Sequence, residues 1–306
     1  MKKVISAIFL LSLVNAYGQD GGIKITNDNY KHSRAMWSPV EDLILFESNM
    51  EGKKSLYTVK SNGENIKRLT SLDYEDWIAA WSPDGKKIAY SSMRNDKYQI
   101  FIYDLNNDTH RQLITSEFSD YGPSWSPDGK QIAYSSKLSG RNVREIFIVD
   151  VDGKNKKRLT HNKKINGLPV FSADGQRIFY QSTAGSNSSS KPDIFSYHLS
   201  TSQIERITFS NTGGGIDPFI YAPNKKLAFF TAGSGSPNGP GTYWIDLETR
   251  KMTKFDVKAK NPGHPNWSHD GQFVTVIDRK QKEIYVYDIE NSKSIQITDK
   301  AKIGKN

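Results

Sequence analysis

"WSPDGKKIAYSS" at residues 81–92 returns as "WSPDGKQIAYSS" at residues 125–136, 44 residues later. Self-similarity at a period of about 20–50 residues marks a repeat architecture, in which one unit cannot bury its apolar faces alone and needs its neighbours. Working outward from the aromatic residue at the head of the motif, four more copies appear. They are "WSPVEDLILFES" from Trp37, "FSADGQRIFYQS" from Phe171, "YAPNKKLAFFTA" from Tyr221 and "WSHDGQFVTVID" from Trp267, so the heads are spaced 44, 44, 46, 50 and 46 residues apart. Each copy is followed by a second run rich in β-branched and aromatic residues, such as "QIFIYDL", "EIFIVDV" and "EIYVYDI". A short third run, "KRLT" or "ERIT", closes most units. Such runs favour strands.

The turns agree with this reading. Asp84-Gly85, Asp128-Gly129, Asp174-Gly175 and Asp270-Gly271 sit where a hairpin needs positive φ, and Asp152-Gly153 and Asn62-Gly63 occupy a second turn within their units. A four-stranded antiparallel unit of this size buries both faces only by stacking on copies of itself, and a closed ring protects most strand edges. The expected fold is therefore all-β: a six-bladed β-propeller of four-stranded antiparallel blades, one domain over residues 19–306. "IKIT" at 23–26 and "SIQIT" at 294–298 compete for the last strand position.

Residues 1–18 read as a signal peptide: Lys2 and Lys3 precede the apolar run "VISAIFLLSLV", too short to span a bilayer, and small residues Ala16 and Gly18 follow. No later run is long and apolar enough to cross a membrane. The chain has no cysteine, which excludes a lipid anchor on an N-terminal Cys, disulfides and thiolate metal sites. The expected location is the bacterial periplasm or the exterior, and the expected state a monomer. With 42 basic and 33 acidic residues the chain is moderately basic, which favours acidic partners such as an acidic glycan. Export and the scatter of the basic residues argue against nucleic acid.

The combination "WSPDGKKIAYSS…QIFIYDL…RQL" resembles the repeat of TolB-type β-propellers, a WD-repeat-like family. The likeness runs through all six units and is weakest in the fifth, where "YAPNKK" lacks the Asp-Gly turn. It implies the propeller and leaves function open, because similar repeats occur in the envelope protein TolB, in oligogalacturonate lyases and in the propellers of prolyl-oligopeptidase-like enzymes. The first repeat starts too early to leave room for the α/β domain that precedes the propeller of TolB. Serine-hydrolase chemistry is excluded: there is no G-x-S-x-G elbow, and "AGSNSSS" and "AGSGSPNG" read as loops.

In a propeller the links between units and the loops after each second strand surround one mouth of the axis. Five residues before the heads stand His32, Asp76, Asp120 and Asn166, and Asp217 lies four before Tyr221. By symmetry these form a polar ring at that mouth, with Tyr74, Trp77 and Tyr121 beside it. Carboxylates next to aromatic rings suit carbohydrate or peptide binding, although the acids could equally cap turns and the rings pack between blades. Arg94, Arg141, Arg144 and Arg279 occupy loop positions that would make a basic rim. His32, His161 and His264 also fall in the links. If the ring closes, His32 and His264 approach one another and with Asp76 could hold a divalent metal or supply a base, but no H-x-H or H-x-x-E spacing supports this, and neither metal nor cofactor is expected. The resulting expectation is a non-catalytic exported propeller that binds an envelope protein or glycan at this mouth. The alternative is a polysaccharide lyase like the oligogalacturonate lyases, with His32 or His264 catalytic.

Overall fold

The computed structural model describes residues 32–60, 64–138, 143–185, 192–208, 227–232, 241–247, 249, 251–254, 262–267, 273–278, 283–288 and 293–296. These contain six antiparallel sheets and no helix. Sheet one is β1 (His32–Trp37), β2 (Ile44–Ser48), β3 (Ser55–Val59) and β4 (Lys67–Arg68); sheet two is β5 (Asp76–Trp81), β6 (Lys87–Arg94), β7 (Lys97–Asp104) and β8 (Thr109–Gln112). Sheet three is β9 (Asp120–Trp125), β10 (Gln131–Lys137), β11 (Arg144–Asp150) and β12 (Lys157–Arg158); sheet four is β13 (Asn166–Phe171), β14 (Arg177–Ser182), β15 (Asp193–His198) and β16 (Ile204–Arg206). In the fifth sheet β17 (Leu227–Ala232), β18 (Gly241–Asp246) and β19 (Met252–Lys254) are described. The sixth is β20 (Pro262–Trp267), β21 (Phe273–Asp278), β22 (Glu283–Asp288) and β23 (Lys293–Gln296). Within every sheet the strands follow chain order.

The first strands line the axis. β5 lies against β9, β9 against β13, and β1 against β20, so first and sixth sheets adjoin. The fourth strands form the rim and are polar and largely exposed, as Lys67, Arg68 and Thr109–Gln112 illustrate. This is a β-propeller, in which short, charged outer strands blunt the edges. The last position of sheet six is filled by β23, which pairs with β22 and contains most of "SIQIT". "IKIT" lies outside the described residues.

Successive side chains on a strand face opposite neighbours, which explains why the middle strands are apolar without a break. Ile88 and Tyr90 of β6 pack with Leu45 and Leu56 of sheet one, whereas Ala89, with Ile100 and Ile102 of β7, packs with Ile132 and Tyr134 of sheet three. The same layer forms between sheets three and four, around Ile146, Phe171 and Tyr180. Ile277 of β21 joins Phe46 and Tyr57 of sheet one, closing the ring. The head tryptophans tie one sheet to the last. Trp125 Nε1 donates to the Ala80 carbonyl at 3.1 Å, and Trp81 Nε1 lies 3.4 Å from the Met36 carbonyl.

The repeated turn is longer than a two-residue hairpin. Ser82 N donates to the Lys87 carbonyl at 2.8 Å, enclosing four residues. The Asp84 carboxylate accepts from Ser82 Oγ (2.6 Å) and Lys86 N (3.1 Å), and Asp128 and Asp174 repeat this arrangement. The glycine alone takes positive φ, 69° at Gly85, 71° at Gly129 and 70° at Gly175. The aspartate is there as an acceptor, and the Ser82 and Ser126 hydroxyls hold the Asp84 and Asp128 carboxyls below their ordinary pKa. Two glycines separate backbone strain from crowding. A Cβ at Gly129 would lie 3.8 Å from Pro83 Cδ, but at Gly153 (φ 87°) it would lie 2.6 Å from the Leu113 carbonyl oxygen of the preceding sheet. Gly129→Ala is expected to lose about 1 kcal/mol from positive φ alone. Gly153→Ala should lose clearly more, because backbone must move; urea unfolding of the two variants measures the difference.

Candidate functional site

Each first strand starts at the mouth reached by the links between sheets, and its first residues occupy equivalent places. His32, Asp76, Asp120 and Asn166 stand opposite Ser48, Ser92, Ser136 and Ser182 on the neighbouring strand. Two residues further on, each strand bulges. Arg34, Ile78, Gly122 and Leu168 have φ of 53°, 45°, 67° and 52°, and the ladder register slips there. The β20–β21 ladder slips between Gly263 and Asn266. A bulge turns the strand start away from the ladder, and this happens in every sheet whose first strand is described. Around the axis the bulges bring apolar groups together: a Cβ on Gly122 would sit 3.2 Å from Leu168 Cδ2 and 3.9 Å from Ile78 Cγ2.

The equivalent positions differ in how their polar atoms are satisfied. Asn166 is held entirely between sheets three and four. Its Nδ2 donates to Glu145 Oε2 (2.9 Å) and Asn162 Oδ1 (2.7 Å), and its Oδ1 accepts from Ser182 Oγ (2.5 Å). The same buried Glu145 is fixed by Arg158 (3.0 Å), the Lys163 N–H (3.0 Å) and the Thr160 hydroxyl. Asn166 is therefore a structural residue at a sheet interface, with nothing left to offer a ligand. Asp76 and Asp120 are as deeply buried, 1% and 0% exposed, yet none of their four carboxylate oxygens makes a hydrogen bond of ordinary geometry. Burial pushes both carboxyls above their ordinary value of 3.8. The Ser92 and Thr70 hydroxyls and Arg94 oppose this at Asp76; Ser136, Lys156 and Ser116 oppose it at Asp120, all without completing hydrogen bonds of ordinary geometry.

Beside the acids runs a line of rings across sheets two and three. Trp77 and Tyr98 have centroids 5.2 Å apart, and Tyr98 meets Tyr121 edge to face at 6.3 Å. Tyr98 escaped the sequence reading because it opens a third strand rather than a first. Every mouth ring chosen from the sequence carries a cation. Arg94 lies 3.1 Å above the Tyr74 centroid, Lys54 5.5 Å from that of Trp77 and Arg144 4.7 Å from that of Tyr121. Arg94 is thus folded back, with Nε donating to Ser92 Oγ at 2.8 Å, and Arg94 and Arg144 are half-buried ring partners rather than a free basic rim. At the Trp77 and Tyr121 register the other described first strands, those of sheets one, four and six, carry Ser33, Gly167 and Gly263, so among the described residues bulk is concentrated on sheets two and three. Burial raises the Tyr121 hydroxyl to about 12, opposed by Arg144 and reinforced by Asp120.

Sequence reasoning also missed Glu47. It is 1% exposed in β2, at the place taken by Ser91 and Ser135 in the next two sheets, and it accepts the Ile78 N–H at 2.7 Å. A glutamate inside a buried strand, where the next two copies have serine, was the available signal. Asp217, Arg141 and Arg279 lie outside the described residues. His32 opens β1 and His264 lies in β20, strands that adjoin, but their side chains are outside the described part. His161 is exposed on the link before β13, and among the described residues no three His, Cys, Asp or Glu side chains group as metal ligands.

The model of the TolB β-propeller domain matches residues 5–144 and 78–238. This chain belongs to the TolB β-propeller family. No curated protein sequence matches it significantly. Among solved structures, TolB from Acinetobacter baumannii aligns with a TM-score of 0.68 at 20% identity, over 89% of this chain and 64% of that one. This propeller thus spans somewhat under two thirds of the length of that TolB. An oligogalacturonate lyase in complex with manganese aligns at 0.65 and 13% identity over 94% and 85%, and the tricorn protease at 0.63 and 15% over 88% and 30%. At these identities the likeness is one of fold. No helix among the described residues is long and apolar enough to cross a membrane.

Proposed function

We propose that this TolB-family propeller is an exported, non-catalytic binding protein of the cell envelope that takes a partner at the mouth formed by the starts of its first strands. The observation that supports this is the one-sided clustering on sheets two and three. The half-buried Trp77 and buried Tyr121, each with a cation over its ring, stand there beside two deeply buried carboxylates that lack hydrogen bonds of ordinary geometry, while the neighbouring sheets present small residues at the same register. A rigid ring that gathers such rings and carboxylates at one opening has the form of a binding site on a scaffold. The cations over Tyr74, Trp77 and Tyr121 occupy ring faces that a sugar would stack on, which favours a protein partner over a glycan.

Buried aromatic anchors dominate binding energies, so Trp77→Ala or Tyr121→Ala should weaken partner binding about 30-fold or more while the propeller still folds. Co-purification of the tagged full chain from the envelope fraction, beside circular-dichroism melts, tests this. Unfolding of the variants would instead assign the rings to packing. Incubation with polygalacturonate and manganese tests the lyase reading, for which the fold likeness to the manganese-bound lyase is the motive. Ultraviolet absorbance from unsaturated uronate would overturn the non-catalytic assignment.

A further inference from the structure

The unpaired polar atoms at the mouth divide into two kinds with different remedies. A buried carboxyl can take up a proton and become neutral, and burial drives Asp76 and Asp120 that way. An indole N–H and an arginine Nε–H have no such escape at any physiological pH. Trp77 Nε1 and Arg144 Nε are buried without an acceptor, and so is the Tyr121 hydroxyl. They are not scattered. Tyr98 bridges Trp77 and Tyr121, and Arg144 covers Tyr121. Native interiors rarely leave such donors unmet, and several in one place call for an acceptor from outside the fold. Charge singles out Arg144: Lys54 over Trp77 is paired with Glu47 at 3.5 Å, whereas Arg144 over Tyr121 pairs with no carboxylate among the described residues.

We propose that this corner of the mouth is a carboxylate receptor for an acidic peptide segment of the partner, with Arg144 as its charged anchor and Trp77 and Tyr121 as supporting donors. The proposal rests on the binding function assigned to the mouth and adds what it recognises. A carboxylate on a peptide fits better than one on a sugar for the reason already given: cations cover the ring faces.

The test is selection of a displayed random-peptide library on the purified full chain, followed by affinity measurement with the recovered synthetic peptides. Recovered peptides are expected to share an Asp, a Glu or a free terminus. Converting that carboxylate to its amide, or Arg144 to Met, should weaken binding about 10- to 100-fold, as for loss of a hydrogen bond to a charged group. Tyr121→Phe should weaken it less, and Lys157→Gln on the outermost strand of sheet three should leave it unchanged. Melting curves of Arg144→Met matching wild type would make the loss one of recognition. Neutral or basic recovered peptides, or indifference to Arg144→Met, overturn the carboxylate receptor. If such peptides still need Trp77, the mouth remains the binding site. If no peptide is enriched while a uronate oligomer binds in a Trp77-dependent way, the peptide assignment falls and the mouth stands. Failure of both ligand classes to respond to Trp77→Ala overturns both.

Discussion

Asp76→Asn and Asp120→Asn are expected to raise the stability of the propeller at neutral pH, singly and together. Each carboxylate is buried where sheet four carries Asn166, and none of the four oxygens has a hydrogen bond of ordinary geometry. A deeply buried charge is unfavourable, and the isosteric amide removes it while still facing the Ser92 and Thr70 hydroxyls at one site and those of Ser136 and Ser116 at the other. The gain expected at pH 7 is about 1–3 kcal/mol per site, or about 2–4 °C of melting temperature for each kcal/mol in a chain of this size. The sign with pH is definite. A carboxyl whose folded-state pKa is raised contributes stability fully below its unfolded value of 3.8 and loses it as pH rises through the folded value. The advantage of the asparagine variants should therefore vanish near and below pH 4 and grow above it. The turn aspartates run oppositely: Asp84 and Asp128 have depressed values, so their contribution is present at neutral pH and lost in acid. Comparing variant with wild type at each pH cancels that background. Thermal melts from acid to neutral pH decide the matter, and an advantage that persists at pH 3 would mean the acids are not charged burials. A gain at neutral pH would also show that the native acids are kept at the expense of stability, as binding residues often are.

The periodic part of this structure was written openly in the chain. The head aromatic, the Ser-x-Asp-Gly turn and the unbroken apolar strands recur because each has a local physical role. The first bonds to the preceding sheet, the second turns the chain with one left-handed residue, and the third is buried on both faces. Counting from the heads also placed His32, Asp76, Asp120 and Asn166 at one level, which the ladders reproduce. What the count could not give was how these positions differ. Asn166 and Asp120 look interchangeable in sequence. They part company because Glu145, two strands over in the preceding sheet, supplies Asn166 with a charge to bond, whereas the residue at that place before Asp120 is Gln99, whose amide is spent on the Tyr98 and Phe118 carbonyls. Arg94 likewise looked like a loop cation, and only the three-dimensional neighbourhood lays it on Tyr74. Repeats reveal what the copies share; a site is made of what one copy does alone.

Glu47 is the clearest such departure, and Glu47→Ala is expected to be the most damaging single change at the mouth. Its carboxylate accepts from the Ile78 N–H and the Ser33 hydroxyl, both at 2.7 Å, and faces Arg34 Nε at 3.4 Å and Lys54 Nζ at 3.5 Å. It thereby binds sheet one to the bulge of sheet two. Ser91 makes the same contact in the next interface, accepting the Gly122 N–H at 3.1 Å, but there glycine adopts the left-handed conformation freely. In sheet two the bulge residue is Ile78, a β-branched residue at φ 45°, where a side chain is strained and must be held by its surroundings. Removing the carboxylate leaves that N–H unpaired and Arg34 buried without its counter-charge. Burial already pulls the Arg34 pKa down, and Glu47 opposes the pull. Breaking a buried pair from one side typically loses about 3–5 kcal/mol. Glu47→Gln keeps an acceptor for Ile78 and should lose less than half of that. Adding Arg34→Met to Glu47→Ala should recover part of the loss, since it removes the stranded charge. Denaturant unfolding of the three variants measures the order. Equal losses for Glu47→Ala and Glu47→Gln would show that charge pairing with Arg34, and not support of the bulge, is what the residue provides. Because Ile78 directly follows Asp76 and Trp77, the same substitution should also weaken partner binding under conditions where the variant remains folded, coupling the strained bulge to the mouth.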